Sequence, residues 1–275
     1  APLPVTIDQM MRNSSGLPDF LELLRLGSHG LHVPVRAADL LAACARNRHL
    51  NFTPGSRFLY SNTNFLLLGL IVERLTKRKL GEVLAYRIFR PLGMRDAGFS
   101  VPPSQHARLS RAFIDKKTGR ALSRDVSVPP KRFGGGGGMV ATAPDYVRFC
   151  QMLLNGGELD GMRLLSKSTV ALMKANHLPA DIAYLLPSHL QGPTIPSPAV
   201  GQGWGLGFMV RTEQGKNPLH GSVGEYYWMG ASGTAFWIDP KEQLIVVMMA
   251  LVSEQQHRGH LRALMRQLVY SAIMN

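Results

Sequence analysis

Cysteine is nearly absent, with only Cys44 and Cys150 in 275 residues. Two thiols so far apart make no disulfide framework, and each lies in an apolar helical pattern, so both are expected to be buried and reduced. Long hydrophobic runs are also missing. The longest, Phe65 to Val72, is broken by Gly69 and followed by Glu73 and Arg74, well short of the roughly 20 residues that a membrane span needs. Acidic residues are scarce, 18 against 31 Lys and Arg, for a formal net charge of +13. The basic residues are spread along the chain and no recognition motif accompanies them, so no nucleic-acid partner is expected. Lys77-Arg78-Lys79 closes a helix, where cations complement the macrodipole. Arg258, Arg262 and Arg266 are predicted to form a solvated stripe on the last helix. No histidine pair has metal-ligand spacing with a carboxylate nearby, and His257 and His260 are predicted to be solvated. The run Gly134 to Gly138 is followed by Met139-Val140 rather than the Gly-Lys-Ser/Thr of a phosphate loop. No cofactor or metal is therefore expected, and the glycines read as close backbone packing at the floor of a cleft. The last absence is chemical: no serine in the chain is followed three places later by lysine.

What is present divides into two parts. Residues 1–195 read as a mainly helical subdomain with cleft-lining segments, and 196–275 as an antiparallel sheet with a C-terminal helix. Helices are predicted over Thr6 to Met11, Ala37 to Ala45, Glu82 to Phe89, Asp145 to Leu154 and Ser166 to Asn176. Another should run from about Asn64 to Arg78 with Asn62 as its cap. Asp115-Lys-Lys-Thr-Gly119 reads as a hairpin turn, and the proline-rich Leu178 to Val200 as a long loop over the cleft. Strands are predicted at Trp204 to Arg211, Glu225 to Trp228, Ser232 to Asp239 and Gln243 to Leu251, with Asp239-Pro-Lys-Glu242 turning between the last two. The final helix carries Leu261, Leu264, Met265, Leu268, Val269, Ala272 and Ile273, an apolar face suited to a sheet. The chain opens on Ala1 with no signal-peptide pattern. The expectation is a trimmed start and a cytoplasmic location, with the periplasm as the alternative.

Two motifs carry the chemistry. Tyr60-Ser61-Asn62 opens an apolar helix, preceded by Phe52-Thr-Pro-Gly55 and followed by Leu66-Leu-Leu68-Gly-Leu-Ile71. Trp228-Met229-Gly230-Ala231 runs into Ser232 to Ile238 and Asp239-Pro240. In this order they resemble two of the three active-site elements of serine hydrolases with the β-lactamase and penicillin-binding-protein fold, nearest the family VIII carboxylesterases. Gly137 to Asp145, Leu153-Leu-Asn-Gly-Gly157 and Ser14-Ser15-Gly16-Leu17 extend the match, with Asn13 where the family usually has His.

The resemblance implies an α+β fold, an antiparallel sheet flanked by helices with a helical subdomain, and an acyl-enzyme hydrolysis of a small ester or amide. It implies Tyr60 as a base, Asn62 as the group that orients the substrate carbonyl or a lysine, and Ala231 as a backbone oxyanion donor. Trp228, Met229 and Gly230 would bound the substrate, Met229 standing where the esterase branch often has Gly. The family's Ser-x-x-Lys is the missing element. It leaves three readings: a nucleophile supplied by a complementary N-terminal segment or second chain, a non-catalytic binding module, or a truncated fragment. Lys117-Thr118-Gly119 spells another family element but falls mid-chain in a charged turn. His220-Gly-Ser222 is a weaker rival to Trp228-Met-Gly, and Ser15 and Ser61 have no visible Lys or His partner to make either a nucleophile.

Overall fold

The computed structural model describes residues 4–24, 37–46, 49–110, 125–130, 134–185, 197–252 and 255–273. The helices are α1 (Ile7–Met11), α2 (Phe20–Leu23), α3 (Ala37–Arg46), α4 (Asn62–Thr76), α5 (Leu80–Leu84), α6 (Ala143–Leu154), α7 (Lys167–Lys174) and α8 (Gln255–Ser271). A π-helical turn, Ala85–Phe89, continues α5. The strands are β1 (Arg57–Leu59), β2 (Glu158–Leu159), β3 (Met162–Arg163), β4 (Ala183–Leu185), β5 (Gln202–Trp204), β6 (Met209–Arg211), β7 (Tyr226–Met229), β8 (Ala235–Asp239) and β9 (Leu244–Met248). The architecture is α+β. Among the described residues no helix is long and apolar enough to cross a membrane. The expected hairpin at Asp115 to Gly119 and part of the expected loop, residues 186–196, lie outside the described residues.

The chain forms two compact units, Ala1–Asp145 with Asp181–His189, and Tyr146–Ala180 with Leu190–Asn275. In the first, Thr6 caps α1 through a capping box with Gln9, and β1 pairs in parallel with β4, Phe58 opposite Tyr184. Phe20, Leu21 and Leu40 form a buried cluster against which Leu66 and Leu67 of α4 pack. Each such side chain contributes roughly 1.5–3 kcal/mol. The glycine run does pack closely: a methyl on Gly135 would overlap the carbonyl oxygen of Phe65, and one on Gly69 would come within 3.0 Å of the Gly135 amide nitrogen. Glycines on both sides let a loop lie directly on α4.

Helix α4 starts two residues earlier than its sequence suggests. Asn62 is its first residue, Ser61 is the N-cap position, and no side chain of Ser61 caps it. The reason is that Asp19, 43 positions upstream, accepts the Asn62 backbone N–H at 2.7 Å. An orphan donor of the first turn is thereby satisfied from another segment, and the Asn62 side chain need not do it.

The second unit is built on a five-stranded antiparallel meander, β5-β6-β7-β8-β9 in sequence order. Its best-paired hairpin is β8–β9, where Trp237 faces Val246 and Ile238 faces Ile245. Trp204, Met209, Tyr226 and Ile238 are fully buried. The strand predicted from Ser232 starts only at Ala235, because Gly230 to Gly233 turn back on themselves, with the Gly233 N–H donating to the Gly230 carbonyl at 3.1 Å. The Asp239 turn is as expected: its Oδ1 accepts the N–H groups of Lys241 and Glu242.

The largest departure is on α8, whose arginines are not a solvated stripe. Arg266 is 6% exposed, with Nη1 2.6 Å from Oε2 of Glu225, itself 0% exposed. Arg211 closes on the other oxygen, Nε to Oε1 at 2.9 Å. Arg262 and Arg258 donate to backbone carbonyls of residues 230, 234 and 252. Leu261, Leu264 and Leu268, expected on the sheet, are instead 36%, 41% and 59% exposed. One buried acid explains the reversal. Glu225 requires cations beside it, and one arrives from α8 as Arg266 and the other from β6 as Arg211, so α8 turns an arginine rather than a leucine towards it.

Burial raises the pKa of the phenols of Tyr146, Tyr226, Tyr227 and Tyr270 above the usual value near 10. The unfolded chain therefore releases these protons first. Their contribution to stability is complete below about pH 10 and is lost as pH rises above it. The expected result is a melting temperature that is flat in neutral buffer and falls steeply above about pH 10, with phenolate absorbance at 295 nm rising cooperatively at unfolding. A gradual, non-cooperative rise in the folded protein would contradict it. The thiols behave alike: burial raises Cys44, and pushes fully buried Cys150 up to about 12.

Candidate active site

The Tyr60 motif sits in the first unit, where β1 passes into α4. Its geometry depends on the segment 13–19. Asn13 is fully buried with φ +55°, a left-handed conformation that Asn tolerates. Its Oδ1 accepts the Ser61 N–H at 3.1 Å and the Asn64 Nδ2 at 2.9 Å. The Ser15 hydroxyl donates to Asn64 Oδ1 at 2.6 Å, and the Ser61 hydroxyl to the Pro18 carbonyl at 3.3 Å. Asn13 thus anchors the turn where the family's His would stand. Ser15 and Ser61 are 1% and 0% exposed and spend their protons on structural bonds, so neither is placed to attack a substrate.

Above this floor, the Tyr60 hydroxyl donates to Asn62 Oδ1 at 2.9 Å. The Asn62 Nδ2 donates to Asp19 Oδ2 at 3.2 Å. Asp19 is 7% exposed and also caps α2, accepting the Leu21 N–H at 3.0 Å. The chain of contacts Asp19–Asn62–Tyr60 is continuous. Sequence reasoning found the last two and missed Asp19, although Asp before Phe20-Leu-Glu is an ordinary N-cap signal.

The second motif lies at the end of β7 in the second unit. Trp228 packs edge-on against Trp204, ring centroids 4.8 Å apart. Gly230 donates its N–H to the Thr234 carbonyl at 2.9 Å, and a Cβ at Gly230 would overlap the Thr234 hydroxyl. Ala231 is exposed at the turn, and among the described residues nothing accepts its N–H. An outward amide of this kind is available to a negative oxygen. Arg262, also missed by sequence reasoning, braces the turn from behind. Its Nη2 donates to the carbonyls of Gly230 at 2.6 Å and Thr234 at 3.0 Å, and its Nη1 to Met229 Sδ at 3.2 Å. Burial, with Arg258 nearby, lowers the Arg262 pKa to about 10. The guanidinium therefore stays charged at neutral pH.

His220 has a different role from the one its His-Gly-Ser spelling suggests. Its carbonyl accepts from Arg211 and Arg266, and its ring stacks on Tyr270 at 6.1 Å. It belongs to the Glu225 network. Tyr60 and Asn62 are thus brought together in one unit, and Trp228 to Ala231 in the other.

Comparison with known proteins agrees with this architecture. The Beta-lactamase family model matches residues 1–270. Protein Rv1367c of Mycobacterium tuberculosis (strain ATCC 25618 / H37Rv) is 35% identical over 217 residues, covering 76% of this chain and 52% of its own length. The chain thus spans about half the length of the curated relatives it first matches. Among solved structures, EstCE1, described as a hydrolase with promiscuous acyltransferase activity, superposes with a TM-score of 0.69 at 20% identity, covering 98% of this chain and 72% of its own. A penicillin-binding protein from Bacillus halodurans gives 0.66 at 23% identity, covering 94% and 72%. These last two likenesses establish the fold.

Proposed function

Because this chain belongs to the beta-lactamase family, we propose that it carries two of the three active-site elements of a serine hydrolase of esterase type, with the serine on a polypeptide segment outside these 275 residues. The observation that carries the reading is the Tyr60 phenol held 2.9 Å from Asn62 at the mouth of α4. The exposed, unspent N–H of Ala231 supports it.

In this reaction a serine Oγ attacks the ester carbonyl carbon and its proton passes to Tyr60. Only the phenolate accepts that proton, and the positive charge of a lysine in a Ser-x-x-Lys segment beside Tyr60 would favour that form. The carbonyl oxygen becomes negative and takes the Ala231 N–H. The C–O bond to the alcohol then breaks, and the alcohol leaves with the proton from Tyr60. Water, giving a proton to the restored phenolate, attacks the acyl-enzyme; the C–O bond to the serine breaks, the carboxylic acid is released, and the serine Oγ takes that proton back from Tyr60. Trp228, Met229 and Gly230 border the acyl group, and the substrate is a small ester or amide.

Two features of the second unit support an added segment. β9 is an edge of the sheet among the described residues, and the flank of α8 shows Leu261, Leu264 and Leu268 to solvent. A strand added to β9 and an amphipathic helix laid on that flank would cover both. A second reading is a non-catalytic module that binds an acyl or peptide ligand. Met229 favours it, adding bulk beside the turn where the esterase branch often has Gly.

Fluorophosphonate labelling of the native protein, with intact mass and N-terminal sequencing, separates the two. The expected result is a labelled serine on a companion segment that purifies with this chain. A chain that purifies alone and takes no label overturns the hydrolase reading and leaves the binding module.

A further inference from the structure

We infer that Asp19 is a positioning residue that sets the orientation of the Asn62 amide and, through it, the direction of the Tyr60 proton; the inference rests on the reading of Tyr60 and Asn62 given above. An ionised carboxylate only accepts hydrogen bonds, whereas an amide side chain presents an acceptor on one edge and two donors on the other. Asp19 Oδ2 lies 2.7 Å from the Asn62 backbone nitrogen and 3.2 Å from its side-chain amide. The edge of Asn62 that faces Asp19 must therefore be its NH₂. That turns Oδ1 towards Tyr60, 2.9 Å away, and an oxygen there can only accept. The phenol hydrogen of this chain therefore points to Asn62.

This arrangement changes what Asn62 does. Its Oδ1 is engaged by Tyr60 and one N–H of its amide by Asp19, so holding Tyr60 is part of what it does in the site. Asp19 can enforce this because it is itself fixed. It is 7% exposed, and its second oxygen is held by the Leu21 N–H at 3.0 Å. Both oxygens are needed, so asparagine at this position cannot serve both sides. If its oxygen caps Leu21, its NH₂ faces Asn62 and drives the amide to reverse. If its oxygen faces Asn62, the cap of α2 is lost.

The test is the side-chain amide of Asn62, followed by ¹⁵N–¹H NMR in the intact chain and assigned by its loss in Asn62→Ser. In the unmodified protein these protons are expected to exchange about tenfold or more slowly than those of a free asparagine amide, as a hydrogen bond to a charged group requires. In Asp19→Asn that protection is expected to vanish while the Tyr60 ¹³Cζ resonance moves. An Asn62 amide and a Tyr60 ring unchanged in folded Asp19→Asn would overturn the inference. If that variant does not fold, Tyr60→Phe decides: protection persists if Asp19 holds the amide and is lost if Tyr60 does. These readouts need no catalysis. Loss of protection in Asp19→Asn, alongside ester turnover indifferent to Tyr60→Phe, would leave the positioning intact and sink the hydrolase reading alone.

Discussion

An ester-hydrolysing preparation of this protein is expected to lose about 10²–10⁴-fold in turnover when Tyr60 becomes phenylalanine, the range that a single positioned acid–base group contributes. The substitution is clean. The ring keeps its packing beside Phe65, centroids 6.5 Å apart, and only the oxygen is removed. Asn62 Oδ1 loses its donor, but Asn62 is only half-buried, so the cost to folding is about 1 kcal/mol. The loss should therefore fall on kcat, with KM for a short p-nitrophenyl ester little changed, because the phenol acts on the moving proton rather than on the bound substrate. Turnover within twofold of the parent would remove Tyr60 from the chemistry.

The second large effect is on stability. Glu225→Ala is expected to cost about 3–5 kcal/mol, because it leaves buried guanidinium groups without their counter-charge. Arg211 is 2% exposed and Arg266 6%, and neither can turn to water without unpacking the sheet. Arg266 also lies over the Trp237 ring at 4.6 Å and the Tyr227 ring at 5.3 Å, which adds to what holds it in place. The triple replacement Arg211→Met, Glu225→Leu, Arg266→Met should be far milder than the single one, since a whole buried ionic group exchanged for apolar side chains is often neutral. Urea titrations of the three proteins give the comparison. A single variant with the parental midpoint would mean that Glu225 is not the keystone of this network.

How far the sequence could be read depends on distance along the chain. The Tyr60 turn, the Asp239 turn and the order of the strands from Met209 onwards are legible because each is written within a few neighbouring residues; Trp204 to Arg211, which reads as one strand, is instead the end of β5, the turn and the second strand of the β5–β6 hairpin. The α+β class followed from them. The start of α4 was misplaced because its cap, Asp19, comes from 43 positions away, and no local pattern records such a pairing. The β8 strand was drawn too long because Ala231-Ser-Gly is compatible with both strand and turn, and the Gly230 carbonyl decides between them. On α8 the periodicity was legible and its polarity was not. The leucines and arginines are both at helical spacing, and which set faces the sheet is decided by Glu225 on another element.

The two thiols now take on a use of their own. Cys44 belongs to the first compact unit and Cys150 to the second, and burial raises the pKa of both. Since only a thiolate reacts readily, an alkylating reagent meets fully buried Cys150 mainly when its surroundings part, whereas Cys44, expected to be buried, is only half-buried. Cys150 is thus an internal clock that records how often the second unit breathes, with Cys44 as the more accessible reference in the first.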